Sequence, residues 1–142
     1  MTRIRTTLFA AALAAAPLGA TAGDTPAPEG ADLYFIGIED GATVSSPVTV
    51  RFGLEGMGVA PAGTEREATG HHHLLIDATL EGDALDQPIP SDENHRHFGG
   101  GQTETTIELP PGEHTLQLVL GDANHIPHDP PVMSERITIT VE

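Results

Sequence analysis

Eight histidines stand in a chain of 142 residues, and their grouping points to chemistry more than their number does. Three are consecutive, His71-His72-His73; two bracket Arg96, as His95 and His97; two more, His125 and His128, flank Ile126-Pro127. His114 stands apart. Extended chain sends residues i and i+2 to one side, about 6–7 Å apart. His71 with His73, and His95 with His97, therefore each form a His-x-His pair, a scaffold suited to copper or zinc through neutral imidazole. His125 and His128 sit in a loop stiffened by Pro127, Pro130 and Pro131, and rigid loops lose less entropy on closing around an ion. The candidate ligands are thus His71, His73, His95, His97, His125 and His128. His72, Asp92, Asp122 and Asp129 are candidate supporting residues, and Met57 and Met133 are candidate soft ligands for Cu(I). The expected cofactor is a copper or zinc ion, copper first.

The chain contains no Cys. That excludes disulfides, thiolate zinc sites, iron–sulfur clusters, a blue-copper centre and a Cys nucleophile. Acidic residues number 21 against six basic ones, all of them Arg, for a formal net charge of −15. Such a balance attracts cations and argues against nucleic acid or an anionic membrane as a partner. The three glycines after His97-Phe98 precede no helix and no Gly-Lys-Ser/Thr, so they are not a phosphate loop. They allow the loop to fold back tightly, bringing His95 and His97 over one end of the fold. Ser45, Ser46, Ser91 and Ser134 have no recognisable nucleophile setting.

The elements that must position these side chains read as strands. Leu33–Ile38 is a short apolar, aromatic and β-branched run that stops at Asp40-Gly41, a turn pair. Val48, Val50, Phe52 and Leu54 alternate with polar residues, as do Leu116, Leu118 and Leu120 after His114, and Ile137, Ile139 and Val141 near the end. His71–Asp77, a Pro-flanked piece near Leu85–Ile89, and Thr103–Leu109 complete about seven short strands separated by Gly/Pro turns. This is the pattern of an all-β, immunoglobulin-like Greek-key sandwich. In that topology the loops 55–70, 91–102 and 121–133 share one end, so seven of the eight histidines converge there and His114 falls at the other. His72 shares a face with Leu74 and Ile76, which makes it a partly buried imidazole with a supporting or a structural role.

Residues 1–22 read as a signal peptide: Arg3 and Arg5, an apolar run from Leu8 to Leu18, and Ala20-Thr21-Ala22 as a cleavage site. The run is shorter than the roughly 20 residues a membrane span needs. The expected organisation is signal peptide 1–22, a disordered Pro/Gly lead-in 23–30 and one sandwich over 31–142, periplasmic or secreted.

The segments GHHHLLID (70–77), ENHRHFGGGQTE (93–104), HTLQLVLGD (114–122) and HIPHDPPVMS (125–134) resemble a bacterial exported family, domain of unknown function 4399. The likeness runs from about Ala31 to Glu142. It implies a small exported single-domain protein with this histidine pattern, and implies no activity. The residues themselves lead to a periplasmic metal-binding protein that buffers or delivers its ion, with another periplasmic metal-handling protein as a possible partner. Two other readings stand beside it. One is a mononuclear copper or zinc enzyme, for which the missing disulfide counts against a superoxide-dismutase likeness. The other is an envelope interaction module with a pH-sensitive histidine surface.

Overall fold

The computed structural model describes residues 25–142, so the expected leader at 1–22 lies outside the described residues. Alternating apolar residues fold as strands throughout: β1 (Asp32–Ile36), β2 (Thr43–Val44), β3 (Val48–Glu55), β4 (Gly58–Val59), β5 (Thr69–Ile76), β6 (His95–His97), β7 (Glu104–Ile107), β8 (Gly112–Gly121) and β9 (Ile137–Val141). They form two sheets, a three-stranded one ordered β1-β3-β7 and a six-stranded one ordered β2-β9-β8-β5-β4, with β6 also paired to β5. Six of the seven expected strands appear, β1, β3 and β7 in one sheet and β5, β8 and β9 in the other, the immunoglobulin-like division of a sandwich.

Two expectations change. Residues near Leu85–Ile89 are not a strand; Gly82–Asp86 is a single 3₁₀ turn, because Gly82 takes φ +57° and Pro88 and Pro90 cannot donate to a ladder. Conversely His95–His97, expected in a loop, pairs antiparallel with β5, with His73 opposite His97 and Leu75 opposite His95. The described part of the lead-in, 25–30, is also tied down. Asp129 N–H donates to Thr25 O, Ala27 N–H donates to Asp129 O, and Thr25 Oγ1 donates to Asp122.

The main core lies between the sheets. Val48, Val50, Phe52 and Ile107 from the smaller sheet meet Leu74, Ile76, Leu116, Leu118, Leu120, Ile137, Ile139 and Val141 from the larger. A second, smaller core covers the outer face of the larger sheet, where Leu75 and Val119 pack under Leu80 and Ile89. Strand β5 is therefore buried on both faces.

That double burial places His72. Its side chain follows Leu74 and Ile76 into the main core, its ring centroid 5.0 Å from that of Phe52. It is fully buried, and neither ring nitrogen has a hydrogen-bond partner. Desolvation holds its pKa down at about 4, so the ring is neutral and packs as an apolar plate. The ring is thus a structural imidazole on the face of Leu74 and Ile76, and period-two alternation turns it away from its neighbours His71 and His73. Replacing a buried, unpartnered polar ring by an apolar group removes a desolvation cost of about 1–3 kcal/mol. His72→Leu is accordingly expected to raise the midpoint of urea unfolding; a lowered midpoint would show that the ring's polar atoms do contribute.

Candidate metal centre

His71 and His73 leave β5 on the outer face, each only 1% exposed. Opposite them on β8 stand Gly121 and Val119. On the other edge of β5, β6 brings His97 level with His73. The fourth imidazole comes from the turn after β8. There Asp122 O accepts the N–H of His125, and Asp122 Oδ1 accepts the N–H groups of Asn124 and Ile126. His125 itself takes φ +67°, a left-handed conformation that the surrounding hydrogen bonds hold. Its carbonyl accepts from Ile89 N–H at 2.8 Å.

The four rings converge on one point. His73 Nε2 and His71 Nε2 face each other at 3.0 Å, and His71 Nε2 and His125 Nδ1 at 3.1 Å. The His97 ring centroid lies 5.0 Å from that of His71, 5.1 Å from His73 and 4.8 Å from His125. One ligand nitrogen from each of the four lies within 4.8 Å of all the others. Metal–nitrogen bonds of about 2.0–2.1 Å would set neighbouring nitrogens about 3.3–3.4 Å apart in a tetrahedron, so side-chain shifts of about 1 Å complete the shell.

The contacts within the cluster favour a cation over a proton. An imidazole nitrogen has a single in-plane direction, which holds either one N–H or one lone pair. His71 Nε2 is shared between two ring nitrogens, and cannot donate to one while accepting from the other. An ion placed among them accepts all the lone pairs at once. The rings are also held ready as ligands, since only neutral imidazole binds metal. Burial, then the neighbouring charges of His97 and His125, hold the His71 pKa at about 4 against the opposing pull of Asp122. Burial, then His71, His97 and His125, push His73 down to about 3. His97 is lowered too, by desolvation and then by His125.

The other candidates lie elsewhere. His95 Nδ1 is 2.8 Å from Asp92 Oδ1, and the same oxygen accepts the N–H groups of Asn94 and His95. Asp92 thus shapes the turn into β6 and engages His95, which is outside the four-ring cluster. His128 is buried, with Nε2 donating to Thr69 O at 3.1 Å, a clip between the start of β5 and the loop. Asp122 organises the His125 turn through its carboxylate, whereas Asp129 acts through its backbone against Thr25 and Ala27. Met57 packs at the edge of the main core and Met133 at the edge of the outer one. His114, expected to be structural, pairs with Asp77 at 2.7 Å.

Sequence reasoning missed the clasp that joins the two more exposed ligand-bearing segments. Ala62 N–H donates to Gly99 O, two residues beyond His97, and Gly63 N–H donates to Ala123 O, two residues before His125. Hydrogen bonds between loops leave no mark in residue type.

These pKa directions set the sign of a pH effect. In the unfolded chain the imidazoles take up protons near pH 6.5, whereas folded His71, His72 and His73 do so only near pH 3–4. Below pH 6.5 the unfolded state binds more protons, so folding stability is retained above that pH and falls as the pH drops toward 4. His114 opposes this. Its pKa is raised by the Asp77 hydrogen bond, so its contribution is full below pH 6.5 and fades as the pH rises. Three deeply lowered groups outweigh one raised group. The melting temperature of the metal-free protein is expected to fall between pH 7 and pH 5; a flat or rising profile would contradict the neutral cluster.

No curated protein and no solved structure matches the chain. The family model described as Domain of unknown function (DUF4399) matches residues 50–142, a span that contains all four clustered histidines, and the chain belongs to that family.

Proposed function

We propose that this protein binds one Cu(II) or Zn(II) ion through His71, His73, His97 and His125, copper being the first choice, and that it works outside the cytoplasm, buffering the ion or passing it to another metal-handling protein. The observation that carries the reading is the convergence of four neutral imidazoles, contributed by β5, β6 and the loop after β8, within 4.8 Å of one another. An all-nitrogen donor set with no carboxylate or thiolate suits copper and zinc far better than calcium or magnesium, which take oxygen ligands. The ordinary ranking of divalent metals places Cu(II) above Zn(II) at such a site.

Exposure supports exchange rather than permanent retention. His71 and His73 form a buried floor, whereas His97 is exposed and His125 half-buried, so solvent reaches an ion from the His97 and His125 side. The excess of acidic residues draws cations toward the protein. Export rests on the residues read as a leader, 1–22; among the described residues no helix is long and apolar enough to cross a membrane.

Titration of the metal-free protein with Cu(II) and with Zn(II) is expected to show one equivalent bound, with no heat from Ca(II) or Mg(II). At free metal 100 times the dissociation constant, the bound ion should add about 2.7 kcal/mol to unfolding stability. His97→Ala and His73→Ala should each weaken binding by tenfold or more, while His95→Ala and His128→Ala should leave it within a factor of about three. Equal losses at His95 and His97 would refute this ligand set.

A further inference from the structure

Outside the cluster itself, where Nε2 meets that of His71, no hydrogen bond orients the His73 ring. Its Nδ1 is buried and unpartnered, whereas metal-binding histidines ordinarily tether the second ring nitrogen to a carboxylate or a carbonyl. Packing must set the ring's position instead, and the packing surface is a missing side chain. Residue 121 is diagonal to His73 across the β5–β8 ladder, directly opposite His71. A Cβ placed on Gly121 would lie 2.8 Å from His73 Nε2 and 3.4 Å from the Cα of His125. The imidazole of His73 leans into the space over Gly121, which is what brings its Nε2 to 3.0 Å from that of His71.

The same arrangement recurs on the exposed side. A Cβ on Gly99 would lie 2.7 Å from His97 Nε2 and 3.4 Å from the Cβ of Ala62. Neither glycine has the left-handed backbone that would by itself demand glycine. Their requirement is space, at two ring nitrogens of the cluster.

We infer that Gly121 and Gly99 are positioning residues for the metal, holding open the volumes into which His73 and His97 must lean to reach the ion. The inference rests on the proposed metal reading. It makes Gly121 and Gly99 determinants of affinity that touch no ion. Added methyl groups would drive the rings apart or out of plane, with the loss of about 10–100-fold in affinity that disturbed support of a ligand causes.

The test compares wild type, Gly121→Ala, Gly99→Ala and, as a control, Gly58→Ala, whose added Cβ makes only ordinary contacts, 3.6 Å from Thr69 Cγ2 and 3.9 Å from Ala68 O. Zn(II) affinity is measured by chelator competition, and the Cu(II) form by electron paramagnetic resonance. Both cluster variants should lose about 10–100-fold in affinity and show altered copper hyperfine splitting, with the control unchanged. In a His73→Ala background, Gly121→Ala should add less than about threefold, because the residue acts through that ring. Wild-type affinity in both cluster variants, or a full further loss in the His73→Ala background, would overturn the inference. Should Gly121→Ala fail to fold, Gly99→Ala in its surface loop carries the same test.

A wild-type chain that takes up neither ion would overturn the metal reading itself. The steric claim is then still decided in the metal-free protein by imidazole nitrogen resonances. Those of His73 in Gly121→Ala and His97 in Gly99→Ala should move while those of His114 stay; unmoved resonances would overturn it.

Discussion

Strand β5 is covered on both faces, and that constraint governs where each of its histidines ends up. Strict alternation sends His72, Leu74 and Ile76 between the sheets, and His71, His73 and Leu75 to the outer face. On an open outer face the latter imidazoles would be solvated and free to protonate. Here they are buried, and desolvation keeps them neutral. A neutral, crowded set of nitrogens is poorly satisfied by its own protons and well satisfied by a cation.

The acidic residues among the candidates build the frame around this set rather than joining it. Asp122 ties down its own turn and the segment beginning at Thr25. Asp92 does the same for the entry to β6. Each carboxylate meets backbone donors that would otherwise be unpaired, and so presents a histidine-bearing loop in one conformation. The four clustered rings could then offer a metal ion uncharged nitrogens alone.

Much of the architecture was legible. Period-two runs mark β3, β8 and β9, but of the seven histidines expected at one end only His71, His73, His97 and His125 come together, His95 lying opposite Leu75 toward the far end of β5. What alternation cannot register is a strand of three residues with charged and polar composition, so β6 carries no strand signal in the sequence. Its pairing depends on a neighbour already in place. The distinction between His97, which joins the cluster, and His95, which does not, was invisible for a related reason. Both satisfy the same i, i+2 rule; the register that sets His97 opposite His73 and His95 opposite Leu75, with the Asp92 contact of His95, separates them. His128 likewise differs from His125 through one carbonyl, that of Thr69.

By itself, then, the order of residues determined most of the strands, the absence of thiolate chemistry and the supply of imidazoles, because these follow from local periodicity and composition. Which four rings meet, on which face, and in which protonation state was decided only by tertiary structure. Burial, cross-strand register and the room left above a glycine are properties of chain segments distant in sequence, and no single segment encodes them.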